Sequence, residues 1–216
     1  MVEMEDMWLL AARHLAPERE LEVAAQLAAV ESAFWERSAI DHRAWTLMDL
    51  LAEAREAIGA DIAEAVLEEA GVRYLDAWTP HIRHEPDAAD VLQALRARGL
   101  RIGLLSNTHW PRAFHERFLE RDGLIQLIDA RLYTSEMSHT KPHAEAFGAA
   151  LAALEVQDPA KAVFVGDRPY DDVHGAQQAG MRGVLRQNPA VPGYDVHPDA
   201  CIERLSDLIP HIDAWH

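Results

Sequence analysis

The sequence has 216 residues, enough for one sizeable core or a core with a small accessory domain. Hydrophobic residues make up 49% and charged residues 26%, and no apolar run approaches the about 18 residues of a membrane-spanning helix. The formal net charge of -16 argues against a nucleic-acid partner, whose binders concentrate positive charge, but leaves room for a small anion in a locally positive pocket.

The acidic opening over residues 1–6 is unlike a secretory signal, and residues 3–80 read as helical throughout. Trp8, Ala11, Ala12 and Leu15 recur at helical spacing, as do Val23, Leu27, Val30 and Phe34, then Trp45, Met48, Leu50 and Leu51. Pro17 and Gly59 punctuate the series, and Gly71 follows a helical run ending near Ala70.

From Thr79-Pro80 onward, helix and strand signals alternate. Pro86-Asp87 opens a helix with Val91, Leu92 and Leu95, and Gly99 ends it. Residues 100–105 read as a short apolar strand and residues 131–134 as a second. Pro142 opens a helix with Phe147, Leu151 and Leu154 on one face. Residues 162–165 form a near-continuous apolar strand, the pattern of one buried on both faces. A helix closes over residues 175–180, and residues 183–185 give a further strand. This alternation predicts a parallel sheet with right-handed crossovers. The expected organisation is an all-helical unit over residues 1–80 and an α/β unit over 81–216, joined through residues 78–86.

In open parallel sheets, ligands sit beyond the carboxyl ends of the strands, so the polar residues just after each strand carry the chemical interest. Ser106-Asn107 follows the first strand; a hydroxyl beside backbone N–H groups can bind a phosphoryl oxygen, although the same pair also simply starts turns. Thr140-Lys141-Pro142 holds one of only two lysines, in a chain that otherwise uses arginine. Lys141 could neutralise a phosphoryl group and an attacking carboxylate, or be a solvated surface residue. Gly166-Asp167, with Asp171-Asp172 beyond, gathers carboxylates that suit a hard cation such as magnesium, or form a solvated acidic loop.

Taken together, LLSNT, TKPHAEAF and VFVGDRPYDDVHGAQQAGM resemble, in order, the second, third and fourth motifs of the haloacid dehalogenase superfamily. The resemblance implies a Rossmann-like α/β core with a helical cap before it. It also implies a magnesium-dependent hydrolase, most readily a phosphatase of a small phosphorylated substrate. By the same resemblance, Ser106 with Asn107 beside it would bind the phosphoryl group and Lys141 would stabilise its charge. Asp167 would help hold magnesium, with Asp172, or its neighbour Asp171, as the second acid. The superfamily's first motif, a buried strand ending in Asp-x-Asp, is not found here, and Glu5-Asp6 has no apolar strand before it. That strand lies mid-sheet in the family, so its loss would orphan backbone groups on two neighbours. A chain truncated upstream is therefore expected over a natural pseudoenzyme.

Two other chemistries compete. Carbon–halogen hydrolysis on the same scaffold needs no metal, which the acid cluster speaks against; a non-catalytic binding or regulatory protein would fit the absent motif. His81 and His84, and His139 and His143 around Lys141, are spaced like metal ligands. With twelve histidines chance pairs are expected, and a zinc site wants four convergent ligands. His109, Trp110, Arg112 and Tyr170 are placed near the pocket; Trp35, Trp45 and Trp78 read as cap core. The single Cys201 allows no internal disulfide, reads as a buried packing residue and fits a reducing cytoplasm.

Overall fold

Apolar spacing alone accounts for the first four helices of the computed structural model, which describes residues 4–59 and 62–215. They are α1 (Met4–Leu15), α2 (Glu20–Asp41), α3 (Leu47–Ile58) and α4 (Glu64–Trp78). Glu3, where the expected helical block begins, and residues 60 and 61 lie outside the described residues. α3 starts on a reciprocal cap: the Asp49 amide donates to the Thr46 hydroxyl at 3.2 Å, and the Thr46 amide donates to the Asp49 carboxylate at 2.8 Å. Gly59, at φ +70°, ends it in the left-handed conformation that favours glycine.

The four helices bury one shared cluster that includes Trp8, Leu27, Leu50, Leu51 and Tyr74. Gly71 does not end a helix. α4 continues through it to Trp78, and a Cβ at Gly71 would lie 3.2 Å from Leu51 Cδ1. The residue is absent a side chain because α4 presses on α3 there, and this contact outweighs the about 1 kcal/mol helical cost of glycine. One carboxylate is buried in the cluster. Glu31, 3% exposed, accepts from Trp8 Nε1 at 2.8 Å and from the Tyr74 hydroxyl at 3.1 Å. Burial raises its pKa, and these hydrogen bonds offset only part of that rise.

The second part alternates α5 (Ala88–Ala97), β1 (Gly103–Ser106), α6 (Arg112–Arg121), β2 (Ala130–Tyr133), α7 (Ala144–Ala153) and β3 (Val163–Gly166). It continues with α8 (Gly175–Gln178), β4 (Arg182–Arg186), β5 (Ala200–Ile202) and α9 (Leu208–Trp215). All pairing is parallel. Gly103 lies opposite Ala130 and Ser106 opposite Tyr133; Val163 lies opposite Arg182, and Val184 opposite Ala200. The strands thus form two half-sheets, β1-β2 and β3-β4-β5, and among the described residues no ladder joins β1 to β3.

Helices nevertheless hold the halves side by side. On one face Phe147 of α7 shares a cluster with Leu105 of β1 and Phe164 of β3. In a second cluster Val91 and Leu95 of α5 pack with Ile102, just before β1, and with Val163 and Val165 of β3. Among the described residues, the edges that the halves turn toward each other, those of β1 and β3, are therefore unpaired beneath bridging helices.

Three expectations are corrected. β3 was expected to be buried on both faces, yet Val163–Gly166 is half-buried throughout, because only β4 pairs with it. β4 holds the buried positions instead, at Gly183 and Val184. Cys201 is exposed rather than buried: β5 is a three-residue edge strand whose alternation turns Ala200 and Ile202 inward and Cys201 out. The helix expected from Pro142 begins two residues later, at Ala144. Among the described residues no helix is long and apolar enough to cross a membrane.

Replacing Gly71 with leucine should overpack the α3–α4 contact and cost about 1–3 kcal/mol. Chemical denaturation checks this; an unchanged midpoint would show that the helices separate freely at this point.

Candidate active site

The site is built where the chain leaves β1, β2 and β3. After β3 the backbone makes a π-helical turn, Pro169–His174, with the Val173 amide reaching the Arg168 carbonyl at 3.4 Å. Such turns concentrate at functional positions. This one folds Asp172 back over Gly166, so that a Cβ at Gly166 would lie 2.2 Å from Asp172 Oδ2. Only glycine fits there. Gly175, at the head of α8, is fixed likewise: a Cβ would lie 2.6 Å from the Phe147 ring and 2.9 Å from Pro142.

Asp172 is 3% exposed and both of its oxygens are engaged. Oδ1 accepts from Lys141 Nζ at 2.6 Å, and Oδ2 from the Arg168 amide at 2.9 Å. Lys141 is in turn held by Asn107, whose Nδ2 donates to the Lys141 carbonyl at 3.0 Å and whose Oδ1 accepts from the Lys141 amide at 2.8 Å. Three residues picked from separate strand ends thus meet in one chain of contacts: Asn107, Lys141, Asp172. A parallel tie links the first two loops, where the Thr108 amide donates to Thr134 Oγ1 at 2.8 Å and that hydroxyl donates to the Thr108 carbonyl at 3.1 Å.

Asp171 shares the turn with Asp172, and Asp167 lies just before it, directly after β3. Asp167 Oδ2 accepts from Asn188 Nδ2 at 2.7 Å. Asp171 is pushed above the usual carboxylate range by burial, with Asp172 adding to the rise and Arg168, 4.0 Å away, opposing it. Ser106 closes β1 and lines a cavity of about 200 Å³ with Leu104, Phe114, His115 and Tyr133. The buried Tyr133 hydroxyl has no hydrogen-bond partner among the described residues, and burial pushes it up to about 12.

The helical part docks directly on these loops. The Thr140 amide donates to the His42 carbonyl at 2.8 Å and the Ala44 amide to the Ser138 carbonyl at 3.1 Å, an antiparallel bridge just ahead of Lys141. The Leu47 amide donates to the His109 carbonyl at 2.8 Å, and the Trp45 ring stacks on His109 at 4.3 Å. His42 approaches Tyr170 at 6.3 Å between ring centres, and its charge lowers the pKa of Asp171. A cavity of about 330 Å³ is lined by Leu47 and Val72 of the helical part and by His109 and Arg112. Asn188, His42 and Thr134 escape sequence reading, because each is an ordinary polar residue placed only by long-range packing. Among the described residues, His81 and His84 fall in no group of three convergent ligands, and His84 Nδ1 pairs with Asp122 at 2.6 Å.

Carboxylates and one lysine thus gather at the carboxyl ends of parallel strands, against the helical part of the chain. The chain belongs to the haloacid dehalogenase-like hydrolase family, whose model matches residues 3–180. It is 31% identical over 158 residues to the glyceraldehyde 3-phosphate phosphatase of Methanopyrus kandleri, covering 70% of this chain and 66% of that protein. It spans about two thirds or less of the curated relatives it matches, 66% and 56% for two of them. Its fold is similar to a HAD phosphatase from Thermococcus onnurineus (TM-score 0.65, 23% identity, 97% of this chain and 87% of that one). It is also similar to a 2-haloacid dehalogenase from Pseudomonas syringae pv. Tomato DC3000 (TM-score 0.63, 27% identity, 100% and 83%).

Two outcomes follow. Lys141→Met should cost about 3–5 kcal/mol, because it leaves the Asp172 carboxylate buried without its partner; adding Asp172→Asn should restore much of that. Equal stability of single and double variants by urea denaturation would contradict the pairing. Second, burial holds His109 down to about 3 and His115 to about 4, against an ordinary 6.5. Folded values below the unfolded one mean that their stability is full above pH 6.5 and is lost as pH falls toward 4, by up to about 1.4 kcal/mol per unit for each. Thermal melts should show His109→Gln with the shallower decline between pH 6.5 and 4; identical slopes would sink this assignment.

Proposed function

We propose that this chain carries the phosphate- and cation-binding side of a magnesium-dependent phosphatase acting on a small phosphorylated metabolite. The observation that supports it most is the Lys141–Asp172 pair, at 2.6 Å, with Asp171 on the same turn as Asp172 and Asp167 just before it. The donor set fits magnesium, which takes oxygen ligands: three carboxylates share one segment, and Asp171 is desolvated beside Asp172, a crowding that a hard cation relieves. Asp167 would hold the ion, with Asp171 and Asp172 adding negative charge around it. Bound there, magnesium neutralises charge developing on the phosphoryl oxygens.

The chain's own residues do the rest. Lys141 places a positive charge against the phosphoryl oxygens, and Asp172 fixes its direction. Asn107 has its amide committed to the Lys141 backbone, so it positions that lysine. Ser106, one residue earlier, offers its hydroxyl to a phosphoryl oxygen. The attacking carboxylate would arrive on a strand seated between the open edges of β1 and β3. Its oxygen would displace the ester oxygen in line at phosphorus, the second Asp of that motif would give the leaving alcohol its proton, and water would then cleave the aspartyl phosphate to release phosphate and free the carboxylate. The 31% identical relative, named for a three-carbon phosphate, supports a small substrate. The single cysteine, exposed at Cys201, supports a reducing cytoplasm as the setting.

The likeness to the Pseudomonas syringae structure favours a second reading, carbon–halogen hydrolysis. The experiment compares the 216-residue chain with a version extended upstream to carry a strand ending in Asp-x-Asp, on an aryl phosphate and on a 2-haloacid, with and without chelator. Phosphate release by the extended form, abolished by chelator and reduced on the order of a hundredfold or more by Asp167→Asn, is the expected result. Chelator-resistant halide release would replace this reading with the second. No turnover of either compound by the extended form would leave a binding protein.

A further inference from the structure

We propose that His139, His143 and Glu145 form a second cation site, made of residues other than the carboxylate turn and selective for a borderline transition metal such as Zn²⁺ over Mg²⁺. Each side chain offers one ligand atom, and the three atoms lie within 4.8 Å of one another. Donors at about 2.0–2.2 Å around a tetrahedral ion stand roughly 3.3–3.5 Å apart, so closure needs side-chain shifts of about 1 Å. Glu145 Oε2 is already 2.7 Å from His139 Nδ1. His143 Nδ1 accepts only a long 3.3 Å bond from the Glu145 amide, which an ion readily displaces. The two imidazoles stack at 3.7 Å and 10°, so one ring must turn about its second side-chain torsion, which is soft.

The backbone already brings the three together. His139 is bridged to Arg43, Thr140 is bonded to His42, and Glu145 lies in the first turn of α7. Both histidines are half-buried and Glu145 is exposed, so an ion can enter and water can fill the fourth position. Two nitrogens and one oxygen suit zinc, whereas magnesium wants an oxygen shell. A bound ion would clamp residue 139 to the start of α7 across Lys141, fixing the loop that carries that lysine.

Calorimetric titration of Zn²⁺ into the 216-residue chain, in excess Mg²⁺, tests the site by binding alone and is independent of any turnover. One-to-one binding is expected, and Co²⁺ should give the absorption bands of a tetrahedral-type site. His143→Asn, which keeps a helix-capping side chain, and Glu145→Gln should each weaken Zn²⁺ binding about tenfold or more, at least the loss typical of an outer partner. His211→Ala, in α9, should bind like the parent. Absence of one-to-one binding, displacement by Mg²⁺, or equal affinity in His143→Asn would overturn the proposal and leave these residues as an ion pair and a helix cap.

Discussion

The contact on which the site depends is the salt bridge between Lys141 and Asp172. Lys141 is tied through Asn107 to the half-sheet of β1 and β2, whereas Asp172 belongs to the turn after β3. The pair therefore joins the two halves at the place where no strand ladder does. Both side chains are largely buried, and burying an ion pair costs nearly as much desolvation as attraction returns. Its value lies in position. It sets the direction of one ammonium group at a strand end, and Gly166 makes room for it.

The helical part is anchored to the same elements. The bridge at residues 42–44 and 138–140 ends immediately before Lys141, and the Leu47 amide binds the carbonyl of His109, two residues beyond Asn107. A displacement of the helices would thus be felt by both loops that hold the lysine. The two open edges, of β1 and β3, are the complement of this design. Unpaired strand edges invite another strand, and here the bridging helices confine where it can lie.

Much of this was legible in the residues. Periodicity predicted the first helices, because each buries one continuous face. The three polar clusters stood out because each follows an apolar run. Geometry then supplied what pattern could not. Gly71 reads locally as a breaker, yet its role comes from Leu51, twenty residues earlier, across a helix contact. β3 has the composition of a central strand, and its half-buried state reflects which neighbours pair with it. β5 is too short, at three residues, to leave a pattern. Asn188 and His42 reach the acid turn only through the fold, and Glu145 joins His139 and His143 only once α7 has begun.

Amide hydrogen exchange tests most directly whether the site awaits a strand between β1 and β3. It should be measured over residues 103–106 and 163–166, in the 216-residue chain and in the version extended with an Asp-x-Asp strand. In the shorter chain, the amides of both strands that point away from their partner should exchange freely, and in the extended chain they should become strongly protected. Full protection of both edges in the shorter chain would contradict the account, because the two half-sheets would then already be closed on each other.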